Sequence, residues 1–296
     1  GDFIISNSMS VGRPYILKIE GCIHDGWLLM SEISSDIDKE YFYYVLSSDL
    51  AQNQLLDNAR GGVVKNLNTT RVSAVRIPVP PMTVQKELLD KCNVIEAEIN
   101  KLLVENTRYQ NEIDSKLKTL YDNAKDSYKL SDENLFDISI GRRVLNREVS
   151  DKYTLPVYSA NVYKPFGYIN RKLLTDFSKP SVVWGIDGDW QVNVFPANYE
   201  FYPTDHCGVL RINRDELLPR YVAYALEHEG EERGFKRSYR ASIDRIQSIQ
   251  IKAPSLKEQK KAIDEISKFE VIIEDNLKKL SSLNMQKKNI IEKTLV

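Results

Sequence analysis

The histidines and their acidic neighbours are the residues whose types suit acid–base or metal chemistry. His24 precedes Asp25, and Asp205 precedes His206. An imidazole beside a carboxylate can move a proton or help to ligate a metal ion. The only other histidine is His228, so a complete site is hard to assemble from this sequence. We therefore expect structural or hydrogen-bonding roles for these pairs, with no metal site and no cofactor.

The sequence motifs of the common enzyme classes are missing. There is no G-x-x-x-x-G-K-[ST] phosphate loop, no C-x-x-C pair, no H-E-x-x-H and no G-x-S-x-G elbow. An adenine methyltransferase would need an Asn/Asp-Pro-Pro-aromatic loop for the flipped base, whereas Pro80–Pro81 is flanked by Val79 and Met82. We expect a chain that is not an enzyme, with methyl transfer in another chain or another region.

Basic and polar segments occur at similar places in the two halves of the chain. Cations alternate with aromatic and hydroxyl residues from Arg233 to Ser242, and a related polar segment spans residues 60–68. A charge run can be no more than a solvated face, but Lys and Arg at such positions also suit phosphate contacts. The predicted DNA contacts are Arg60, Lys65, Asn66 and Asn68 in the first segment and Arg233, Lys236, Arg237, Tyr239, Arg240 and Ser242 in the second.

A further concentration of polar and aromatic residues runs from Tyr158 to Tyr168 and precedes a turn at Gly185–Trp190. Asn, Asp and Lys on turns can reach base edges with their donors and acceptors. The predicted DNA contacts in these two segments are Tyr158, Asn161, Tyr163, Lys164, Asp187 and Trp190.

An internal repeat organises the elements that position these residues. An Ile-x-x-Pro-x-x-x-x-Gln junction at 77–85 recurs at 251–259, an offset of 174 residues. Further upstream the offset between the two copies becomes 180 residues. That offset places Ile4 opposite Trp184. Repeat one then has no counterpart for roughly residues 128–180, so we expect its globular part to be incomplete. The first residues resemble the middle of a strand, so the sequence is expected to begin inside a domain.

Each repeat is predicted to contain short strands, a short helix and a long helix. β-branched runs at Ser181–Trp184 and Cys207–Ile212 predict strands. Apolar spacings of three and four predict short helices at residues 38–50 and 216–228. We expect the tyrosines of these short helices to pack in a core.

The long helices have the strongest periodicity in the chain. From Gln85 onward apolar residues alternate spacings of four and three, which is a heptad seam. About 38 residues without Gly or Pro would span roughly 55 to 60 Å in each copy. Asn106, Asn276 and Lys287 interrupt the apolar seam and are predicted to fix its register. An ordinary dimerisation coiled coil would explain the seam equally well.

Composition limits the class of protein. A chain of 296 residues is long enough for two domains, and a net charge of −1 confines any nucleic-acid contact to local patches. Three widely separated cysteines fit a reducing compartment better than a disulfide framework. No apolar run is long enough for a membrane span, so we expect a cytoplasmic protein without membrane contact.

Together these features resemble the specificity (S) subunits of type I restriction-modification systems. The residues that carry the resemblance are 155–161, 165–169, 182–188 and the twin junctions at 77–85 and 251–259. The resemblance covers nearly the entire chain. No single motif is decisive, but the order domain, helix, domain, helix is specific to the family.

The resemblance implies an α+β fold with two mixed α/β target recognition domains separated by long antiparallel coiled-coil helices. The predicted boundaries are 1–82 for a partial first domain, 83–124 for the first long helix, 125–254 for the second domain and 255–296 for the second long helix. It implies that each domain recognises one half of a split target in double-stranded DNA, with the helices setting the gap. Adenine methyltransferase (M) subunits and restriction (R) subunits are the implied protein partners.

Two other interpretations stay open at this point. The chain could be the C-terminal recognition region of a fused adenine methyltransferase or restriction enzyme. It could also be a coiled-coil interaction protein without a DNA role. Methyltransferase motifs upstream in the reading frame would favour the first, and absence of salt-dependent retention on DNA would favour the second.

Overall fold

The computed structural model describes residues 1–7, 10–59 and 67–295. The chain divides into two compact units, which we call unit 1 and unit 2. Unit 1 comprises Gly1–Arg108 with Ile272–Val296, and unit 2 comprises Tyr109–Val271. Each long helix therefore contributes residues to both units.

Unit 1 combines a small antiparallel sheet with helices. Its elements are β1 (Phe3–Ser6), β2 (Pro14–Ile16), β3 (Trp27–Met30), α1 (Lys39–Ser47), α2 (Asp49–Ala59), α3 (Thr69–Ser73) and the first part of α4 (Met82–Asp122). The strand order is β2–β1–β3. Side chains alternate along a strand, so Phe3 and Ile5 share one face and pack against Phe42, Leu46 and Leu55.

The short helix predicted at residues 38–50 is divided in two in the structure. Asp38 caps α1 by accepting hydrogen bonds from Glu40 N at 2.8 Å and Tyr41 N at 3.3 Å. Ser48 has extended backbone angles, which end α1 before α2 begins at Asp49. The predicted start is confirmed, and the break at Ser48 is the part that apolar spacing does not show.

Unit 2 has a larger set of strands. Its elements are β4 (Asp126–Lys129), β5 (Phe136–Ile140), β6 (Leu155–Tyr158), β7 (Gly167–Ile169), β8 (Ser181–Gly185), β9 (Val192–Phe195), β10 (Tyr202–Pro203), β11 (Cys207–Ile212), α5 (Pro219–Glu232), α6 (Ile243–Gln247), β12 (Gln250–Ala253) and the first part of α7 (Leu256–Thr294). The sheets have the orders β5–β11–β8–β9, β10–β6–β7 and β12–β4. All five residues of β8 are buried, so this strand lies at the centre of the unit.

The predicted strands at 181–184 and 207–212 are confirmed as β8 and β11. The helix predicted at 216–228 is α5, which begins later, at Pro219, and continues to Glu232. Proline is favoured at the first helical position because it has no backbone N–H to leave unpaired there. Tyr221 is fully buried in the core of unit 2, as expected for the short-helix tyrosines.

The internal repeat reappears as matched backbone hydrogen bonds. In unit 1, Asn7 N donates to Gly26 O and Leu67 N donates to Asn7 O, both at 3.0 Å. In unit 2, Ile186 N donates to His206 O at 3.0 Å and Ala241 N donates to Ile186 O at 2.9 Å. These bonds make Ile5 the equivalent of Trp184, one residue from the expected pairing of Ile4 with Trp184. The pairing is shifted because successive side chains of a strand point to opposite faces, and Ile5 and Trp184 are the ones that face the short helix of their unit.

A buried glutamine closes the junction before each long helix. Gln85 and Gln259 are both 0% exposed. In each, Oε1 accepts a backbone N–H and Nε2 donates to two backbone carbonyls. Gln85 bonds Asp38 N, Asp36 O and Pro80 O, all at 2.8 Å, and Gln259 bonds Leu218 N at 2.9 Å, Glu216 O at 3.0 Å and Pro254 O at 2.8 Å. The repeated glutamine therefore ties the short helix, the junction and the long helix together in both units.

The long helices α4 and α7 pack antiparallel within each unit. In unit 1, Leu280 joins the buried cluster of Ile95, Ile99 and Leu102. In the same unit Asn276 Nδ2 donates to Asn106 Oδ1 at 2.9 Å, and Lys287 pairs with Glu96. In unit 2, the Tyr109 and Phe269 rings stack at 5.3 Å, and Lys116 pairs with Glu265 at 2.9 Å. The predicted fold class, mixed α/β units with long antiparallel helices, is confirmed.

Candidate nucleic-acid interface

Four loops of unit 2 meet around the turn that follows β8. Ile186 N donates to His206 O at 3.0 Å, and Ala241 N donates to Ile186 O at 2.9 Å. Both backbone polar groups of Ile186 therefore hold a neighbouring loop against the turn. We use the name loop face for the surface formed by residues 159–164, 185–190, 204–206 and 236–241.

Two glycines allow the turn to take this shape. A Cβ atom on Gly185 would lie 2.2 Å from Ala160 O, where no side chain fits. Gly188 has a φ of +92°, which residues with a Cβ rarely adopt. The loop between β6 and β7 can therefore lie directly beside the turn.

The loop between β6 and β7 is fixed by its own side chains. Asn161 Oδ1 accepts hydrogen bonds from Tyr163 N at 3.0 Å and Lys164 N at 2.9 Å. Tyr163 Oη donates to Val192 O at 2.7 Å, although the residue is 59% exposed. The structure thus brings Tyr163 and Lys164 to the surface, while the Asn161 oxygen is already used within the loop.

The basic segment of unit 2 folds into a tight hairpin, Lys236–Tyr239, which we name the basic hairpin. Lys236 N donates to Tyr239 O at 3.1 Å, and Tyr239 N donates to Lys236 O at 2.9 Å. This pairing leaves Arg237 and Ser238 at an exposed tip. A cation and a hydroxyl are therefore presented together on a narrow projection.

Aromatic contacts anchor the basic hairpin to the turn. Phe235 is 6% exposed, and its ring meets Trp190 edge-on with centroids 5.1 Å apart. Tyr239 stacks on Phe235 at 5.7 Å, and the Arg245 guanidinium lies 4.0 Å from the Tyr239 ring centroid. Trp190 Nε1 donates to Glu227 O at 2.9 Å, which fixes the indole. The predicted contacts Trp190 and Tyr239 thus support the hairpin.

One carboxylate on the turn contacts two basic side chains. Asp187 Oδ1 lies 2.9 Å from His206 Nδ1, and Asp187 Oδ2 lies 3.6 Å from an Arg240 guanidinium nitrogen. The Arg240 side chain remains 61% exposed. The predicted residues Asp187 and Arg240 therefore come together on the loop face, with His206 as an additional member.

Arg142 and Arg143 add two cations that are not among the sequence-predicted contacts. They follow β5, and Arg142 N donates to Pro203 O at 3.2 Å, which seats them beside the 204–206 turn. Both are exposed, and in the described part of the chain neither forms an ion pair. The available signal was the sequence Gly-Arg-Arg directly after a strand, since Gly141 permits close approach to Pro203 O.

Three predicted DNA contacts of unit 2 lie outside the loop face. Tyr158 is 5% exposed, and its hydroxyl is 2.8 Å from the Tyr199 hydroxyl, so it has little surface for a base. Its position in β6 makes it a core residue, which corrects its prediction as a DNA contact. Arg233 donates to Ser248 Oγ at 3.2 Å and to Ser248 O at 3.3 Å. Ser242 occupies the N-cap position of α6.

The predicted contacts of unit 1 are only partly described. Asn68 is exposed and caps α3, since Arg71 N donates to Asn68 Oδ1 at 2.9 Å. This cap is equivalent to Ser242 before α6 in unit 2. Arg60, Lys65 and Asn66 lie outside the described residues.

The described residues do not bring together the ligands of a metal site, and two of the three cysteine thiols are buried. No group of three or more His, Cys, Asp or Glu there could hold a metal ion. Burial raises the pKa of the Cys207 thiol to about 12 and raises the pKa of the Cys92 thiol, so both stay protonated. Among the same described residues, no helix has the length and apolar character needed to cross a bilayer.

A protein-family model described as the type I restriction modification DNA specificity domain matches residues 1–106 and 125–285. The matched ranges take in most of the chain, including the whole loop face and both glutamine junctions. The stretch between them, residues 107–124, lies almost entirely within α4.

Two similar proteins from Mycoplasma pneumoniae are described as type I specificity subunits. One, described as an N-terminal part, is 35% identical over 101 residues, which are 34% of this chain and 52% of that protein. The other is 29% identical over 140 residues, which are 44% of this chain and 45% of that protein. The chain thus spans about half the length of the curated relatives it matches.

A solved structure has a similar fold. The crystal structure of a type I restriction-modification system S subunit from M. genitalium aligns with a TM-score of 0.57 and 14% sequence identity. The alignment covers 100% of this chain and 83% of that one. At this identity the likeness concerns the fold alone.

Proposed function

Because the chain belongs to the family of type I restriction modification DNA specificity domains, we propose that it recognises DNA sequence for a type I restriction-modification complex. In this role it binds a bipartite target in double-stranded DNA and positions adenine methyltransferase (M) subunits there. Restriction (R) subunits of the complex are further partners. The chain itself supplies recognition and no catalytic step.

The observation that carries this proposal is the set of exposed cations around the loop face. Arg142 and Arg143 lie beside the 204–206 turn, and Arg237 and Arg240 lie on or next to the basic hairpin. The loop face and the two arginines beside it carry six Lys or Arg against three Asp, so cations are in local excess although the whole chain has a net charge of −1. Neutralising phosphates with such side chains releases counterions and gives affinity for any DNA sequence.

Base recognition requires donors and acceptors held in fixed positions between the phosphate contacts. Lys164 on the β6–β7 loop and Ser238 at the hairpin tip are exposed and lie on loops fixed by hydrogen bonds. The Asn161 amide nitrogen is available because only its oxygen is used within the loop. We assign base-edge contacts to these three residues.

A recognition role without a catalytic step is supported by membership of the DNA specificity-domain family. Recognition without reaction needs a partner that carries the methyltransferase site. Unit 1 is the second recognition unit of this proposal, with Arg60, Lys65, Asn66 and Asn68 as its predicted DNA contacts.

The test is a fluorescence titration of random-sequence duplex DNA at several salt concentrations. Arg237→Ala with Arg240→Ala should weaken binding to all sequences and lower the salt slope by roughly 2, because each phosphate contact contributes about 0.9. The matched control is Arg214→Ala with Lys257→Ala, which removes the same charge from exposed positions outside the loop face. Equal slopes for the two double variants would contradict this interface, and absence of salt-dependent binding by the unaltered chain would contradict the function.

A further inference from the structure

Asp187 is much less exposed than the two basic residues it contacts. Its side chain is 20% exposed, against 41% for His206 and 61% for Arg240. A recessed carboxylate is poorly placed to accept hydrogen bonds from base edges. It is well placed to hold side chains that extend further out.

Both carboxylate oxygens of Asp187 are already engaged. Oδ1 is 2.9 Å from His206 Nδ1, and Oδ2 is 3.6 Å from the Arg240 guanidinium. The two partners belong to different loops of the loop face, the 204–206 turn and the segment after the basic hairpin. Asp187 therefore connects the two sets of cations described above, since Arg142 is bonded to Pro203 just before that turn.

The backbone beside Asp187 is held on both sides. Ile186 N donates to His206 O, and Ile186 O accepts from Ala241 N. The same two loops are thus joined once through the backbone and once through the Asp187 side chain. A carboxylate on such a fixed turn limits the rotamers of Arg240, whose long side chain would otherwise lose conformational entropy on binding.

The two partners of Asp187, His206 and Arg240, are not repeated at the equivalent positions of unit 1. By the repeat offsets, His206 corresponds to Gly26 and Arg240 corresponds to Asn66. The residues that Asp187 contacts are therefore not part of the framework that the two units share. They belong to the loops that distinguish unit 2.

We propose that Asp187 is a positioning residue: it holds the Arg240 guanidinium in the geometry that binds a DNA phosphate, its contact with His206 fixes the 204–206 turn, and it does not contact DNA itself. This rests on the proposed function and revises the prediction that Asp187 is a DNA contact. A phosphate brought near Asp187 alone would be repelled. Placed between two basic groups, the carboxylate instead orients them.

Positioning and net charge predict opposite effects on DNA binding when the Asp187 charge is removed. Asp187→Asn removes one negative charge and keeps the side-chain shape, so charge alone would strengthen DNA binding. Positioning predicts the reverse, about five-fold weaker binding to random-sequence duplex DNA and a salt slope lower by about 0.9. The matched control is Asp189→Asn, with the same charge change at an exposed position of the same turn. It should bind as tightly as the unaltered chain or slightly more tightly.

Two further measurements separate positioning from a general effect on folding. In an Arg240→Ala, His206→Ala background, Asp187→Asn should have no further effect on binding, because residues that act through one another are not additive. If Asp187→Asn lowers the thermal midpoint, Arg240→Lys can be compared at unchanged charge with Arg214→Lys, an exposed position outside the loop face. Only Arg240→Lys should weaken binding about three-fold, because Lys lacks the guanidinium that meets the carboxylate.

The outcomes distinguish this inference from the proposed function. Salt-dependent binding by the unaltered chain, with Asp187→Asn binding as tightly as Asp189→Asn, overturns the positioning role alone. An additive loss in the Arg240→Ala, His206→Ala background overturns it as well. No salt-dependent binding by the unaltered chain overturns the proposed function and, with it, this inference.

Discussion

Units 1 and 2 have the same hydrogen-bonded framework but differ in what is built on it. Both have a strand packed on a short helix, a matched pair of loop hydrogen bonds and a buried glutamine before a long helix. Unit 2 also contains β4 to β7 before β8, and β5 pairs with the outer edge of β11. In the described residues of unit 1, no strand pairs with the outer edge of β3, the equivalent of β11.

The comparison separates the part of unit 2 that places the loops from the part that supplies the side chains around them. The shared framework places the loops, and the strands that precede β8 supply the side chains that surround them. Arg142 and Arg143 follow β5, and Asn161 and Lys164 lie between β6 and β7. The loop face therefore depends on the strands that precede β8 as well as on the shared framework.

The largest effect is expected at the glutamine junctions. Gln85→Ala and Gln259→Ala should each lower the free energy of unfolding by about 3 kcal/mol, because buried backbone groups lose their partners. Chemical denaturation measures this loss. The control is Gln286→Ala at an exposed position of α7, which should change stability by less than about 0.5 kcal/mol. A large effect at only one junction would show that the framework is not equivalent in the two units.

The next effect concerns Arg142 and Arg143, the two cations that follow β5 in unit 2. Arg142→Ala with Arg143→Ala should weaken binding to random-sequence duplex DNA about ten-fold and lower the salt slope by roughly 2. The thermal midpoint should not change, because both side chains are exposed and form no ion pair among the described residues. Unchanged binding in the titration would remove these arginines from the interface and reduce the contrast between the units.

The two units also differ in how their parts of α4 and α7 are held together. In unit 1 Asn276 is 4% exposed and bonds to Asn106, whereas in unit 2 Lys116 and Glu265 are 42% and 40% exposed. Asn276→Ala should cost about 1.5 kcal/mol, and Lys116→Ala should cost less than about 0.5 kcal/mol. Denaturation curves at two salt concentrations test this. Similar costs for both would contradict the prediction that Asn276 and its partner Asn106 fix the register.

The smallest effect is a pH dependence specific to unit 2. Burial, followed by Glu231 and Asp114, raises the pKa of Glu227 to about 7 from an ordinary value of 4.5. A raised carboxyl pKa favours the folded state fully below about pH 4.5 and loses that contribution as pH rises through about 7. Between pH 5 and 8 the chain should lose about 1 kcal/mol of stability that Glu227→Gln does not lose, after discounting for solvent screening. Glu232→Gln, at an exposed position of α5, should keep the loss. The equivalent residue in unit 1 is Ser47.

Much of the framework could be predicted because its signals are local or repeated. Heptad spacing identified both long helices, and the recurrence of Gln85 at Gln259 identified the junctions. The hydrogen bonds of these glutamines could not be predicted, since they depend on which backbone groups the folded chain brings to the junction. The one-residue difference at Ile5 has the same origin, because only strand pairing decides which side chain faces the helix.

The loop face was less predictable because its members come from distant parts of the chain. The turn at 185–190 and the basic segment were identified from composition. Tyr158 was selected for its residue type, yet its burial is set by aromatic neighbours such as Phe195 and Phe201. Arg142 and Arg143 were missed because pairing of β5 with β11 is what places them beside the 204–206 turn.

The most direct test of sequence recognition is selection of bound duplexes from random DNA by the full chain, followed by sequencing. We expect the recovered duplexes to share a sequence, and Ser238→Ala with Lys164→Ala to alter that sequence without abolishing binding. A recovered pool as random as the input, from a chain that still binds DNA, would contradict sequence recognition by the loop face.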